Sequence, residues 1–338
     1  MSATTIATAP LGTHGPRTGI QGLGCMGMSF AYGPTDATEA RATLERALEL
    51  GVTLYDTADM YGSGDNETFL SPFFLAHRDE VVIATKFGIV LDPADPLKRG
   101  VRNDRAYLRA CAEGSLRRLG VDAIDLYYLH RRDPQVPIED TVGAMAELVA
   151  EGKVRHLGLS EVTGAELRAA HAVHPIAAVQ SEWSLFSRDV ERTAVPAAAE
   201  LGVTFVPYSP LGRGFLTGSF TDASAELPAG DFRHHQPRYS GANAVANSER
   251  LAPVRAIAEA RGATPGQIAL AWVHQQAAVR GLAVIPIPGT RRRARVEENT
   301  AATRIALTPD ELAALEPIAA GVSGDRYHDM SFTSAARE

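Results

Sequence analysis

The sequence predicts an α/β protein with a single-domain (β/α)₈ barrel fold. Eight short apolar runs alternate with stretches of helical periodicity, and eight is the number of β/α units that closes a barrel. Most of the runs lack the polar–apolar alternation of half-exposed strands, which indicates a parallel sheet covered by helices. An open doubly wound sheet is the alternative. It usually has fewer strands, and its dinucleotide-binding form has a glycine-rich turn after the first strand that is not found here.

The predicted strands share a short apolar run followed by a polar or glycine-containing segment. They are Gly22–Ser29, Thr53–Ala58, Val81–Gly88, Ile124–Arg131, Val154–Glu161, Ala177–Ser184, Val203–Gly212 and Ala283–Thr290.

The predicted helices have apolar residues three and four positions apart. In Asp36–Leu50 this face is followed by Gly51, and Asp104–Leu119 has Asp104 as a predicted N-cap and Gly120 as its stop. The others are Ile138–Glu151, Gly164–Ala172, Arg188–Leu201, Ser248–Arg261 with Thr264–Gln276, Arg291–Ala302 and a last helix beginning at Thr308.

One long segment after strand seven interrupts this alternation. Residues 212–247 are rich in Gly, Ser, Asn, Pro and His. A loop of this length inside a compact domain is usually a lid, a binding loop or disordered. In a barrel it would lie at the active rim, so we predict a cover over the substrate, with a merely mobile segment as the alternative.

Composition and charge exclude several classes of protein. The 338 residues are 45% hydrophobic and 22% charged, with a net charge of −7, which gives no electrostatic case for nucleic acid or acidic membranes. No run approaches about 18 apolar residues, and Met1–Thr13 lacks the pattern of a signal peptide. Cys25 and Cys111 form no disulfide framework, which favours a cytoplasmic location. His234 and His235 lack spaced partner ligands, so no metal site is predicted.

Four polar residues stand at or just beyond the ends of three successive strands: Asp56, Tyr61, Lys86 and His130. Because neighbouring parallel strands end at one rim, we expect an acid, a phenol, an amine and an imidazole to meet there. Such a set is suited to moving a proton on or off an oxygen. The alternatives are a structural ion pair with an unrelated tyrosine and core histidine, or a Schiff-base aldolase with Lys86 as its amine.

Several motifs, in order along the chain, resemble those of the aldo-keto reductases, closest to the bacterial and plant branch that includes pyridoxal-reductase-like enzymes. The motifs are Asp56-Thr57-Ala58-Asp59-Met60-Tyr61-Gly62, Thr85-Lys86, Leu126-Tyr127-Tyr128-Leu129-His130, Gly158-Leu159-Ser160, Tyr208-Ser209-Pro210-Leu211-Gly212 and Ile287-Pro288-Gly289-Thr290 with Glu298-Asn299. The resemblance implies a (β/α)₈ barrel that binds a nicotinamide dinucleotide, usually NADPH, without a Rossmann domain.

The resemblance also implies a role for each of the four polar residues. Tyr61 would give its proton to a carbonyl oxygen as hydride reaches the carbon. Lys86 would lower the pKa of the phenol, and Asp56 would hold Lys86 charged. His130 would donate a hydrogen bond to the carbonyl oxygen.

By the same resemblance, the nicotinamide would be contacted by five residues from four of the strands. Tyr208 would stack on its ring, Ser160 and Gln180 would bind its carboxamide, and Cys25 and Met26 would lie near its ribose. The stretch expected along the pyrophosphate is Ser209, Pro210, Leu211 and Gly212. Glu161 departs from the family, much of which has Asn after the serine.

The phosphate-binding end is predicted at the start of the helix after the last strand. Backbone N–H groups at such a helix start favour an anion, and arginines add paired donors. By analogy, Arg291 and Arg295 would bind the 2′-phosphate of NADPH, and Glu298 and Asn299 the adenine; a solvated basic helix start is the alternative. Gly289 departs from the Lys of many members.

A second glycine-rich segment, residues 62–67, is rejected as a Rossmann phosphate loop because Glu67 would oppose a pyrophosphate. Asn66 is instead predicted to cap a helix.

Together these features predict a cytoplasmic, NADPH-dependent reductase of small-molecule aldehydes, with pyridoxal and some ketones as candidate substrates. An NADPH-binding redox sensor is the alternative from another functional class. The sequence predicts no nucleic-acid or membrane partner and leaves the oligomeric state open.

Overall fold

A computed structural model describes residues 5–92, 99–228 and 230–338. Its strands are β1 Thr8–Pro10, β2 Arg17–Gly19, β3 Leu23–Gly24, β4 Leu54–Asp56, β5 Val82–Phe87, β6 Ile89–Leu91, β7 Arg99–Val101, β8 Ile124–Leu129, β9 Val154–Ser160, β10 Ile176–Glu182 and β11 Thr204–Tyr208. Its α-helices are α1 Ala37–Glu49, α2 Asp65–Ala76, α3 Arg105–Leu119, α4 Ile138–Ala150, α5 Gly164–Val173, α6 Ala194–Leu201, α7 Ala223–Glu226, α8 Gly241–Glu249, α9 Ala252–Arg261, α10 Pro265–Arg280, α11 Arg293–Ala301 and α12 Pro309–Leu315.

The barrel sheet has seven regular strands, hydrogen-bonded in the order β11-β10-β9-β8-β5-β4-β3 with parallel pairing throughout. The predicted eighth strand closes it: Ile285 and Ile287 donate to β11 carbonyls at 2.9 and 3.0 Å, and Gly22 donates to the Pro286 carbonyl at 2.9 Å. Pro286 and Pro288 have no N–H, so this segment makes isolated bridges rather than a regular ladder. The predicted (β/α)₈ barrel is therefore confirmed.

Two antiparallel hairpins were not predicted. The first, β1 with β2, precedes the barrel, and the Gly12 N–H just beyond β1 donates to Thr204 Oγ1 at the start of β11. Leu11 is fully buried there against the lower barrel core. The second hairpin, β6 with β7, follows β5 at the opposite end. Strands of three residues are too short for a periodic pattern, which is why both were missed.

The predicted helix starts at Asp36 and Asp104 are confirmed by their caps. Asp36 accepts from the Thr38 and Glu39 N–H groups, and Asp104 from that of Tyr107. The prediction that Asn66 caps a helix is wrong. Helix α2 begins at Asp65 with Gly64 at the N-cap position, two residues before Asn66.

Asn66 lies inside the first turn of α2, where its side chain makes hydrogen bonds to another segment of the chain. Its amide donates to the Cys25 carbonyl at 3.0 Å and to Ser29 Oγ at 2.7 Å, which joins α2 to the chain after β3.

The segment after β11 is also more regular than predicted. It contains α7, the 3₁₀ turns Phe232–His235 and Pro237–Tyr239, and the start of α8. Asp222 and Asp231 accept from nearby backbone N–H groups and so begin two of these short helices. Ala229 of the predicted cover lies outside the described residues.

The apolar core fills the barrel and the layer between strands and helices. Trp183 contacts Phe205 and Trp272 with ring centroids 5.0 and 6.5 Å away. In the part of the chain that the structure describes, no helix is both long and apolar enough to cross a membrane.

Candidate active site

A cavity of about 380 Å³ opens at the ends of the barrel strands. At one end it is lined by Asp56, Tyr61 and His130, and at the other by Arg295 and Asn299. Its volume lies in the usual range for small-molecule sites. The predicted convergence of strand ends is therefore a feature of the structure.

Asp56 and Lys86 form a buried ion pair at the ends of β4 and β5. Lys86 Nζ donates to Asp56 Oδ1 and, at 2.7 Å, to the Thr57 carbonyl, while Gln180 Nε2 donates to Asp56 Oδ2 at 2.8 Å. Burial alone would lower the pKa of Lys86, but the neighbouring Asp56 and Tyr61 raise it above its ordinary value. The amine is therefore held as a charged ammonium. It is fully buried and does not line the cavity.

Tyr61 lies beyond β4, in a turn that places its ring beside Lys86. The ammonium nitrogen is 5.3 Å from the ring centroid. Burial raises the pKa of Tyr61, and the Lys86 charge only partly opposes this. Lys86 lowers the pKa of the phenol as expected, but the effect of desolvation is larger. The phenol therefore carries its proton at neutral pH.

His130 directly follows β8 and is anchored by its backbone N–H, which donates to the Phe87 carbonyl at 2.8 Å. Its ring meets that of Tyr61 edge-on, with centroids 6.0 Å apart. Burial, assisted by the charges of Arg131 and Lys86, lowers its pKa well below the ordinary value. The imidazole is therefore neutral. No described residue is a hydrogen-bond partner of its buried Nδ1.

The residues predicted around the nicotinamide divide into two groups. Those that line the cavity are Met26, Gln180, Tyr208, Ser209, Pro210 and Leu211. Three lie behind its wall: Cys25 is fully buried, Ser160 Oγ accepts from Arg131 Nη1 at 3.0 Å, and Gly212 is buried beside Tyr239.

Glu161 turns away from the cavity and binds the end of the chain. Its carboxylate accepts from Arg326 Nη1 at 2.9 Å, from the Ser334 N–H at 3.1 Å and from the Tyr208 hydroxyl at 2.7 Å. Glu161 has a left-handed φ of 51°, unusual for a residue other than glycine. The site thus includes a C-terminal segment that sequence reasoning missed.

Tyr327 belongs to this segment and lines the cavity. Its hydroxyl lies 3.3 Å from that of Tyr208 and accepts from Arg213 Nη2 at 3.0 Å. No local pattern could have identified it, because its partners are more than a hundred positions away.

At the far end, three arginines line the cavity around the start of α11: Arg291, Arg292 and Arg295. The Arg291 guanidinium is engaged by the loop after β3, donating at 2.8–3.2 Å to the Gly27, Tyr32 and Gly33 carbonyls and Thr35 Oγ1. Arg295 contacts Glu298 at 2.9 Å and is exposed. Arg292 was not predicted as a contact.

Asn299 is buried at this end of the cavity. Glu298 does not line it and accepts from Thr264 Oγ1 at 2.7 Å.

Gly289 allows two chain segments to meet under the cavity. A Cβ added there would lie 3.1 Å from the Gly24 carbonyl oxygen. A larger residue at this position would therefore require the two segments to move slightly apart.

The cavity as a whole fits an elongated anionic cofactor such as a nicotinamide dinucleotide. One end offers arginine donors and a helix start, which suit phosphate, and the other offers Tyr208 and the amide of Gln180. No cluster of three or more His, Cys, Asp or Glu suited to a metal ion is found among the described residues.

Comparison with known proteins gives the same family for most of the chain. The model of the aldo/keto reductase family matches residues 22–320. A glycerol dehydrogenase, AKR11B4 from Gluconobacter oxydans, is similar in structure with a TM-score of 0.79 and 27% identity, over 96% of this chain and 98% of that one. A thermostable aldo-keto reductase, Tm1743, in complex with the inhibitor epalrestat, has a TM-score of 0.70 and 28% identity, over 93% of this chain and 100% of that one. The chain therefore belongs to the aldo/keto reductase family, as an NAD(P)H-dependent oxidoreductase that acts on carbonyl groups.

Proposed function

We propose that this protein reduces aldehydes, and some ketones, to alcohols with NADPH, and that Tyr61 is the proton donor. The observation that carries the proposal is the meeting of Tyr61, Lys86, Asp56 and His130 at one end of the cavity. Bound NADPH supplies hydride to the carbonyl carbon. The protein's own task is then to hold the carbonyl and give one proton to its oxygen.

Each of the four residues has one part in that task. Tyr61 is protonated at rest and gives its hydroxyl proton to the carbonyl oxygen. Lys86 stabilises the phenolate that remains, because an adjacent ammonium favours the charged form of a phenol. Asp56 keeps Lys86 charged and in place. Neutral His130 donates a hydrogen bond to the oxygen as negative charge develops on it.

The position of Lys86 argues against the aldolase alternative. A Schiff-base amine must be uncharged and must reach the substrate carbonyl. Lys86 is fully buried, paired with Asp56, and its pKa is raised. These properties support a role acting through Tyr61.

We further propose that the cofactor's 2′-phosphate lies at the start of α11. Arg292 and Arg295 are exposed there, so both can turn toward a phosphate without leaving a buried site. The guanidinium of Arg291 shapes the neighbouring loop instead. This assignment favours NADPH over NADH.

The segment of residues 212–247 is proposed as the cover of the site. Its Arg213, Phe232 and Arg233 line the cavity. The Phe232 N–H donates to the Ala31 carbonyl across the cavity mouth at 3.1 Å. Pyridoxal is the first substrate to test, and it rests on the sequence resemblance to the pyridoxal-reductase-like branch. A cytoplasmic location likewise stays a prediction.

The test is the loss of reduced-nicotinamide absorbance with a panel of aldehydes that includes pyridoxal. Tyr61→Phe should lower kcat by about 10²-fold or more, the usual contribution of a positioned general acid, while the NADPH dissociation constant changes little. Tyr107→Phe is the matched control, because Tyr107 is half-buried on α3 and does not line the cavity. Unchanged turnover in Tyr61→Phe would disprove the proton-donor role. Tight NADPH binding by the wild type with no turnover of any aldehyde would favour the redox sensor.

A further inference from the structure

The cavity is lined by far more positive than negative charge. Seven arginines are among its described lining residues, against one carboxylate, Asp56, which is already paired with Lys86. Three of the arginines surround the start of α11, and Arg233 is paired with Asp231 at 2.7 Å. The remaining three are Arg99, Arg131 and Arg213.

These three guanidinium groups are held by aromatic rings and neutral oxygens. Arg99, on β7, lies 5.2 Å from the ring centroid of Phe232, and Arg213 lies 5.3 Å from the same ring. Arg131 donates to the His130 carbonyl at 2.7 Å. Among the described residues, no carboxylate is within ion-pairing distance of any of the three.

Two of the three belong to the reacting end of the cavity. The charges of Arg99 and Arg131 both act on His130 and contribute to its low pKa. Arg213 follows the Ser209–Gly212 stretch that is proposed to run along the pyrophosphate, so it can be neutralised by the cofactor. Arg99 lies on the β6–β7 hairpin, and its charge acts on Tyr61 and His130.

The surroundings of Arg99 disfavour its charged form relative to water. Burial lowers the pKa of Arg99, the like charges of Arg131 and Arg213 add to this, and Tyr327 and Tyr61 only partly oppose it. A crowd of partly buried cations is costly unless an anion compensates it. The cavity lining supplies an apolar surface as well: Phe232 lies against Arg99, while Met60, Ile89 and Phe30 cluster with Tyr61.

On the basis of the proposed reductase function, we infer that the substrate is an aldehyde bearing a carboxylate or phosphate group on an apolar body. Arg99, supported by Arg131, binds that anion while the carbonyl oxygen lies at Tyr61 and His130. The two sources of the negative charge share this chemistry, since a guanidinium binds either group through paired N–H donors. Arg99 is thus assigned as a residue that determines specificity.

Two matched pairs of aldehydes test the inference. The carboxylate pair is 4-carboxybenzaldehyde and methyl 4-formylbenzoate. The phosphate pair is pyridoxal 5′-phosphate and 5-deoxypyridoxal, neither of which can close to an internal hemiacetal. In at least one pair, kcat/KM of the wild type should be higher for the anionic member by about tenfold or more. The difference should come mainly from KM, because a charged hydrogen bond strengthens binding by roughly tenfold or more. The pair that responds identifies the anion.

Three variants locate the effect. Arg99→Gln should bring the ratio of kcat/KM within the responding pair close to one, and Arg99→Lys should leave it in between. Arg102→Gln is the control, because Arg102 is exposed just beyond the same hairpin and pairs with Asp104; it should keep the wild-type ratio. The ratio is internal to each variant, so partial loss of folded enzyme does not alter it.

The possible failures are distinguishable. Turnover of aldehydes without anionic preference in either pair would overturn the inference and leave the reductase function standing. A preference that survives in Arg99→Gln would overturn the assignment of Arg99. Absence of turnover with every aldehyde would instead overturn the proposed function.

Discussion

Replacing Glu161 with glutamine tests how the C-terminal segment is attached to the site. The Glu161 carboxylate is fully buried and accepts from Tyr208, Arg326 and Ser334. Glutamine preserves the shape of the side chain, but it is neutral and turns one acceptor oxygen into a donor. The variant therefore leaves the buried Arg326 guanidinium without its main counter-charge.

The size of the effect follows from the pKa of this carboxyl. Burial alone would raise the pKa of Glu161, but Arg326, Arg131 and the Tyr208 hydroxyl outweigh burial and lower it from 4.5 to about 2. Each pKa unit corresponds to roughly 1.4 kcal/mol, so the ionised carboxylate contributes about 3 kcal/mol to the free energy of unfolding. This agrees with the roughly 3–5 kcal/mol lost when a buried ion pair is broken on one side.

The lowered pKa of Glu161 also determines how its contribution to stability changes with pH. A carboxyl whose pKa is lower in the folded state stabilises the fold above its unfolded-state pKa, and this contribution is lost as the pH falls toward the folded value. The difference in unfolding free energy between wild type and Glu161→Gln should therefore be full at pH 7. It should shrink between about pH 4.5 and 2.

The assay is urea unfolding followed by intrinsic fluorescence at pH 7 and at acidic pH. Glu200→Gln is the matched control, because Glu200 also receives two hydrogen bonds from one arginine, Arg168, but at the exposed surface. It should change stability little. Equal unfolding midpoints for the two variants at pH 7 would refute the reasoning. Weaker NADPH binding by Glu161→Gln is expected as well, since Tyr208 lines the cavity and the charge pair that holds its hydroxyl is lost.

Two further variants test the proposed roles at each end of the cavity. Lys86→Met should abolish most turnover and destabilise the fold by about 3–5 kcal/mol, because Asp56 is left buried without its cation. Adding Asp56→Asn to this variant should restore stability, measured by urea unfolding, but should not restore kcat. Recovery of kcat in the double variant would contradict the role of Lys86. Arg295→Ala should raise KM for NADPH by about tenfold, because a charged hydrogen bond to the 2′-phosphate is lost, and it should raise KM for NADH much less. The control is Arg293→Ala, because Arg293 pairs with Glu39 on α1. An equal rise for both cofactors would show that Arg295 does not contact the 2′-phosphate.

The barrel and the convergence of its polar strand ends could be predicted because both depend on local sequence patterns. Each barrel strand is a short apolar run, and Asp56, Lys86 and His130 come at or just after the ends of such runs. Parallel pairing then brings these ends together with no further information. The eighth strand was predicted correctly for the same reason, although Pro286 and Pro288 keep it from forming a regular ladder.

What could not be predicted depends on contacts between distant segments. Asn66 has the composition of a cap, yet its amide is used to hold the chain after β3. Arg291 has the position of a phosphate ligand, yet its guanidinium holds the loop of residues 27–35. Glu161 and Arg326 are 165 positions apart. In each case the residue type was informative, and only the fold determined which partner it met.

Arg131 links the two halves of the site. Its Nη1 donates to the His130 carbonyl and to Ser160 Oγ, and its charge contributes to the low pKa of Glu161. It therefore faces the proposed carbonyl site on one side and the C-terminal network on the other. Because a guanidinium cannot lose its charge at physiological pH, this link persists whatever the state of Tyr61. The C-terminal segment and the substrate anion should accordingly be coupled, since both interact with the same cation.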